Sequence, residues 1–208
     1  MKNAFFLLVA VVVFTLGSCS PKIYVSPEGK SLAGSHHTIA IAPPTVSIAA
    51  RKKVDAEALK EQQKTESVNF QKEMYSWLLK RKMQNRITVD IQDIATTTTL
   101  LQRAGYYDDQ PMTPAEICKA LGVDGLITSN YALSKPMSDG GAIALGIVFG
   151  AWGPTNQTVV NVEIHDNGKE QMIWSYNHQA AGSIGSSPGQ LVDVLMRNAS
   201  KKMPYTIN

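Results

Sequence analysis

The sequence is poor in the residues that form cross-links and metal sites. Its 208 residues include two cysteines and four histidines, and only 7% are aromatic. Two cysteines cannot form a disulfide framework, and the ligand spacings H-E-x-x-H and C-x-x-C are missing. A net charge of +3 spread along the chain differs from the clustered basic face of nucleic-acid-binding proteins. We therefore expect no metal, no cofactor and no nucleic-acid partner.

The chain has enough apolar residues to fold. The hydrophobic fraction is 44%, and the length suits one domain, or one domain with appendages. Neither a G-X-Y period nor sustained heptads occur, which excludes a fibrous protein. The composition thus predicts a globular domain with its own core.

The first nineteen residues predict export and lipidation. A positive start at Lys2 precedes an apolar run, residues 4–16, which is shorter than the ~20 residues of a membrane-spanning helix. The run ends in Leu16-Gly17-Ser18-Cys19, which resembles a bacterial lipobox. We expect residues 1–18 to be a lipoprotein signal peptide, cleaved between Ser18 and Cys19, with the Cys19 thiol carrying the lipid and palmitate a typical acyl chain. The alternative is an ordinary signal peptide with a chance cysteine.

The residues after the predicted lipid indicate a tether and a location. Residues 19–37 are rich in Ser, Pro, Gly and Lys and have no periodicity, which favours a flexible, lipid-anchored tether. Ser20 stands where an Asp would signal retention in the inner membrane, and no acidic cluster follows. We expect a bacterial cell-envelope protein on the periplasmic face of the outer membrane.

Residues 38–208 alternate between strand and helix patterns. The apolar run 39–43 predicts a buried first strand, and residues 54–84 predict a long helix. Thr113 and Glu116 form a capping box around Pro114, which predicts a helix start. We expect a single α/β domain with one mixed sheet of about five strands and packed helices. The predicted order is βαβααβ, an apolar insertion over residues 134–157, and then ββα.

This order of elements resembles the small α/β domain of a group of envelope proteins. The matching pieces are the strand at 39–43, the helix and strand of residues 66–94, and above all residues 117–127, where a helix turns tightly into a strand. They resemble the family of the TolB amino-terminal domain, CsgG and LpoB over roughly residues 38–203. The resemblance implies a protein that binds and assembles, with no catalytic residue to carry over. CsgG-type proteins have two membrane-crossing hairpins per subunit, whereas this chain has one insertion.

An apolar segment lies inside the insertion. Residues 142–152, AIALGIVFGAW, carry no charge and no polar side chain apart from the Trp indole. As a helix the segment is too short to cross a bilayer, and as a membrane strand it lacks alternation. It is a buried core segment, a contact with a partner or second copy, or a membrane-touching loop. The proposed contact side chains are Ile143, Leu145, Ile147, Val148, Phe149 and Trp152.

The remaining chemical motifs have ordinary explanations. Residues 185–189 match G-x-S-x-G, but no histidine follows Ser187, so the order of a hydrolase triad is impossible. We expect Ser187 to cap a helix and Cys118 to be a buried core thiol. Glu163 and His165 share one strand face, with His178 expected across from them, as a solvated polar surface.

The function predicted from these features is non-enzymatic. We expect a lipid-anchored periplasmic protein that binds or helps assemble another envelope component. The membrane is its partner through the lipid, and a protein or further copies of itself is the second. The alternative is a CsgG-like oligomeric secretion channel, and a third hypothesis is an enzyme with an unfamiliar site.

Overall fold

A computed structural model of the protein describes residues 22–49, 55–108, 110–134, 157–181 and 187–207. Within these ranges the strands are β1 Lys22–Val25, β2 Thr38–Ile41, β3 Thr45–Ile48, β4 Asp90–Ile91, β5 Gly125–Leu133, β6 Gln157–Asp166 and β7 Gln171–Ala181. The helices are α1 Gly29–Ser35, α2 Ala56–Met83, α3 Ile94–Arg103, α4 Pro114–Leu121 and α5 Pro188–Ala199. A 3₁₀ turn, Ser200–Lys202, follows α5.

All seven strands belong to one sheet. Their order is β1-β7-β6-β5-β2-β4, and β3 also pairs with β5. The parallel strands β2 and β3 share β5, with Ile39 opposite Gly125 and Thr45 opposite Asn130. The hairpin of β6 and β7 is antiparallel to β5, and β1 is antiparallel to β7. The predicted α/β fold with a single mixed sheet is confirmed.

The strand directions define two ends of the domain. We call the lower end the one where four strands begin, namely β2, β4, β5 and β7, and where β6 ends. There Gly125 of β5 lies opposite Asp166 of β6. At the upper end, Leu133 of β5 lies opposite Thr158 of β6. Since β1 is antiparallel to β7, it runs from the upper toward the lower end.

The larger part of the core lies between one sheet face and the helices α2 and α5. Phe70, Met74 and Leu78 of α2 are buried, and the ring of Phe70 stacks on Tyr131 of β5 with 3.9 Å between centroids. Leu195 of α5 joins the same cluster. Burying each such side chain stabilises the fold by about 1.5–3 kcal/mol relative to leaving it exposed.

Helices α3 and α4 cover the lower half of the opposite face. Leu101, Cys118 and Leu126 are buried there in a smaller cluster. The predicted capping box of α4 is present, since the Thr113 hydroxyl accepts from the Glu116 N–H and the Glu116 carboxylate accepts from the Thr113 N–H. In the described ranges, no helix covers the upper half of this face.

The predicted tether over residues 19–37 is wrong from residue 22 onward. Lys22–Val25 pairs with β7, and α1 packs beneath the same strand. The N–H of Ser26 donates to the carbonyl oxygen of Ile173 at 2.9 Å, and a Cβ at Gly29 would lie 2.6 Å from that oxygen. These contacts depend on backbone groups and on the absence of a Cβ at Gly29. A composition rich in Ser, Pro, Gly and Lys therefore does not reveal them.

The predicted number of strands is also wrong. The sheet has seven strands because β1 joins it from the supposed tether and β3 forms directly after Pro43 and Pro44. In the predicted strand around residues 87–91, only Asp90 and Ile91 pair with β2, and Ile87 makes an isolated bridge with Thr206. The observed order therefore contains β1, α1 and β3 in addition to the predicted elements.

Three polar side chains from distant parts of the chain meet at the lower end. His36 Nδ1 lies 2.7 Å from the Tyr205 hydroxyl, and its Nε2 lies 2.7 Å from Asp166 Oδ1. A proton on Nε2 satisfies both contacts, because the ring then donates to the carboxylate and accepts from the hydroxyl. Burial raises the pKa of Tyr205, and Asp166 raises it further, so the phenol remains a donor. A Cβ at Gly125 would lie 2.7 Å from both His36 Nδ1 and the Tyr205 oxygen, so the site requires glycine.

Replacing Tyr205→Phe should destabilise the protein, because His36 Nδ1 then loses its donor in a buried site. We expect the free energy of unfolding to fall by about 1–3 kcal/mol. Urea unfolding of a soluble form, residues 19–208 with Cys19→Ser, measures the change. Tyr107→Phe, at a tyrosine that is 56% exposed, is the matched control and should change stability by no more than about 0.5 kcal/mol. Equal midpoints for the two variants would show that the Tyr205 hydroxyl contributes nothing.

Candidate functional site

The sheet face opposite the larger core carries a surface of polar side chains, which extends from His165 near the lower end up to Asn130 and Asn177. Successive side chains of a strand point to opposite faces, so Glu163 points away from the core that buries Val162 and Ile164. The strand register places such residues side by side across β5, β6 and β7. We call the following side chains the polar face: Thr128, Asn130, Asn161, Glu163, His165, Ser175 and Asn177.

Hydrogen bonds connect the centre of the polar face. Glu163 Oε1 accepts from the Asn161 amide at 2.7 Å, and Glu163 Oε2 lies 3.0 Å from His165 Nε2. The same nitrogen lies 3.2 Å from the Thr128 hydroxyl. Burial lowers the pKa of His165, and the Glu163 carboxylate only partly opposes this effect. The ring is therefore neutral at pH 7, and the face presents amides, hydroxyls and one carboxylate.

A cleft adjoins the polar face. Its volume is about 350 Å³, within the usual size range of small-ligand pockets. One wall is formed by β5, and the other by the end of β2 and the residues around the start of α4. The lining residues are Ala42, Pro43, Thr45, Tyr106, Pro111, Met112, Pro114, Ile117, Thr128, Ser129 and Asn130. Its mixed apolar and hydroxyl or amide lining suits binding of a small ligand or of a side chain from a partner.

The candidate nucleophiles have structural roles. Cys118 is fully buried, and burial raises the pKa of its thiol to about 11, so it is a core thiol as predicted. The Ser187 hydroxyl accepts from the N–H of Gln190 at 3.4 Å, at the start of α5, which confirms its predicted role as a helix cap. Residues 185 and 186 of the G-x-S-x-G match lie outside the described residues.

His178 does not lie across from Glu163 and His165. It is opposite Val160, on the sheet face that α2 and α5 cover, and its ring is 5.9 Å from the ring of Tyr176. The expected grouping is wrong because His178 and His165 belong to opposite faces of the sheet. Among the described residues, no three His, Cys, Asp or Glu side chains are placed to hold a metal ion.

The predicted lipidation and contact residues lie outside the described part of the chain. They are Ser18, Cys19, Ile143, Leu145, Ile147, Val148, Phe149 and Trp152. The described residues next to them show where the chain enters and leaves the sheet. Lys22, three residues after Cys19, begins a strand that descends from the upper side, and the apolar insertion connects the upper ends of β5 and β6. None of the helices in the described ranges has the length and apolar character to cross a membrane.

Sequence reasoning identified part of this surface. The alternation around Glu163 and His165 indicated a polar strand face, and the structure places Thr128 and Asn161 beside them. The cleft was missed, because it depends on how far α3 and α4 extend over the sheet. The cluster of His36, Tyr205 and Asp166 was missed because no local pattern connects three residues so far apart in the chain.

Comparison with known proteins gives distant structural similarities. No protein-family model matches the chain, and no curated protein matches it. Solved structures similar to it include a PelC dodecamer from Paraburkholderia phytofirmans, at 9% identity and a TM-score of 0.38, covering 91% of this chain and 98% of that one. Lipoprotein GNA1162 from Neisseria meningitidis is 12% identical with a TM-score of 0.43, covering 80% and 99% of the two chains.

LpoB, a member of the group that the sequence resembles, is also among these structures. Its C-terminal domain from Salmonella enterica is 8% identical with a TM-score of 0.34, covering 73% of this chain and 93% of that domain. All three TM-scores are below 0.5, so these similarities support no inference about what this chain binds.

The lowered pKa of His165 predicts a dependence of stability on pH. The unfolded chain takes up a proton near the ordinary histidine value of about 6.5, whereas the folded protein does so only at lower pH. The unfolded state therefore binds more protons in this window, and stability should fall as pH decreases from 7 to 5. Replacing His165→Gln should flatten part of this decrease in urea unfolding at pH 7, 6 and 5. His37→Gln, at a side chain that is 91% exposed, is the control; the same slope in both variants would contradict the assignment.

Proposed function

We propose that the protein is a lipid-anchored periplasmic protein without catalytic activity, which binds or helps assemble another component of the cell envelope. The observation that carries this proposal is the Leu16-Gly17-Ser18-Cys19 motif followed almost immediately by a strand of the sheet. Lipidation of Cys19 with a diacylglycerol and one further acyl chain gives the protein three hydrocarbon chains. A single acyl chain binds membranes only marginally, and two or more anchor a protein stably. Anchoring would then be stable, and the protein would act while attached to the membrane.

The position of β1 supports a close approach of the domain to the membrane. Lys22 is three residues after Cys19, a reach of at most about 11 Å. Because β1 descends from the upper side of the sheet, the linker enters from that side. In this proposal the upper end faces the bilayer. Ser20, in place of an Asp, favours the periplasmic face of the outer membrane.

The proposed contact combines an apolar segment with the neighbouring cleft. Residues 142–152 supply a run of apolar side chains, and their insertion point lies between Leu133 and Thr158 at the upper end. The cleft and the polar face share Thr128 and Asn130 of β5. An exposed apolar segment of this kind requires a partner, while neighbouring polar groups provide orientation and specificity.

Replacing Cys19→Ala should release the protein from the membrane, because the thiol that accepts the lipid is lost. Metabolic labelling with palmitate, followed by separation of membrane and soluble fractions, measures both effects. Cys118→Ala is the matched control: it removes the other cysteine and should leave labelling and membrane attachment unchanged. Undiminished labelling of the Cys19→Ala variant would contradict lipidation at this residue.

Replacing residues 142–152 by a Gly-Ser segment of equal length should abolish partner capture or self-association. Co-purification after cross-linking in intact envelopes, together with the size of the detergent-extracted protein, provides the measurement. A scrambled segment of the same composition is the control, since nonspecific membrane contact survives scrambling and a specific protein contact does not. Unchanged partners and size in a folded replacement variant would exclude the contact. Rings of uniform size that require the segment would favour the channel alternative.

A further inference from the structure

We propose that the lower end of the domain holds a binding site for phosphate-type anions, formed by Arg81, Arg86, Arg197 and Lys201. A cavity of about 230 Å³ lies between the end of α2, the residues that follow it and the end of α5. These four cationic side chains line it together with Trp77, Ser200, Thr206 and Ile207. The Arg81 guanidinium carbon lies 4.8 Å from the centroid of the Trp77 ring, which holds the guanidinium against the wall.

The cavity has an excess of positive charge. Arg197 is paired with Asp193 on its own helix. In the described part of the chain, no carboxylate lies within ion-pair distance of Arg81, Arg86 or Lys201. Like charges around one cavity repel one another, and an anion bound between them would relieve that repulsion.

Only some of the surface cations in the described chain have carboxylate partners. The pairs are Lys82 with Asp90, Lys119 with Glu170, and Lys169 with Glu28. Lys60, Lys64 and Lys72 are exposed and form no ion pair within the described ranges, so the cavity cations are distinguished by lining one cavity together and not by lacking a carboxylate partner.

Compensation of helix dipoles explains only part of the cluster. Arg81 and Arg197 lie in the last turns of α2 and α5, where a cation opposes the negative helix end. Arg86 lies beyond the end of α2, and Lys201 is in the 3₁₀ turn. Both side chains nevertheless line the same cavity, so separate chain segments bring cations to one place.

The chemistry of the cluster selects the class of anion. Guanidinium groups present paired N–H donors that match the oxygens of phosphate and carboxylate, and three arginines favour a compact anion with several oxygens. Inorganic phosphate and phosphate monoesters on a lipid or a glycan share this chemistry.

The position of the cavity favours a source other than the anchoring membrane. Lys22 pairs with Asn177, six residues above the start of β7, or about 20 Å from the lower end. If the proposed orientation holds, the cavity faces away from the bilayer that carries the lipid. The direction in which the cavity faces rests on the proposed function, whereas the anion site itself does not.

Calorimetric titration with inorganic phosphate tests the site. The protein is the soluble form of residues 19–208 with Cys19→Ser, which retains every described residue, and chloride keeps the ionic strength constant because salt screens exposed charges. We expect saturable binding at one site. The double variant Arg86→Gln/Lys201→Gln should weaken phosphate binding at least tenfold. Its unfolding midpoint in urea should change by no more than the midpoint of the control double variant does.

The control is Lys60→Gln/Lys64→Gln, which makes the same charge change at exposed positions near the start of α2. It should bind phosphate like the unmodified protein. An equal loss in both double variants, or no saturable binding in the unmodified protein, would overturn the proposal.

A second arm uses vesicles containing phosphatidylglycerol. If the soluble form binds them through Arg86 and Lys201 and inorganic phosphate does not compete, the cluster is a membrane-surface patch and the proposal is wrong. Competition by inorganic phosphate supports a phosphate site that also accepts lipid headgroups. The soluble form carries no lipid, so the two tests are independent. A negative phosphate titration would not contradict lipidation of Cys19, and a negative lipidation experiment would not contradict the anion site.

Discussion

The antiparallel pairing of β1 with β7 brings the domain close to the predicted lipid. Lys22 to Val25 lie opposite Asn177 to Trp174, so the chain enters the sheet three residues after Cys19. Without this pairing, eighteen residues would separate anchor and domain, a reach of roughly 60 Å. In the proposed orientation, these four backbone pairs set where the upper end of the sheet and the cleft lie relative to the membrane.

The lower end is fixed by a different kind of interaction. His36, two residues before β2, connects Asp166 at the end of β6 with Tyr205 near the end of the described chain. Asp166 also accepts from the Lys169 N–H at 2.5 Å, which joins the β6–β7 turn to the cluster. Each of these buried polar groups is costly to leave unpaired, so the cluster specifies which segments meet. The residues that line the basic cavity include Thr206, which directly follows Tyr205 in sequence.

Local patterns predicted the elements whose causes are local. Thr113 with Glu116 gave a correct helix start, Ser187 a correct helix cap, and the shared strand face of Glu163 and His165 a correct strand in β6. Elements held by distant backbone partners could not be recognised in this way. β1 was assigned to a tether because its composition is that of a linker, and only the free edge of β7 makes it a strand. The same holds for the sites, since the cavity around Arg86 depends on α2 and α5 ending side by side.

The rigidity of the connection from β1 through the sheet has a geometric consequence. A flexible tether of eighteen residues lets a domain sample many distances from a surface, whereas a paired strand that begins three residues after the anchor restricts them to about 11 Å. β5, with nine residues, spans about 30 Å between the two ends. With the upper end at the bilayer, the cationic cavity would stand at a set height above it. The domain would then act as a spacer of defined length, able to engage only partners whose anionic groups lie at that height.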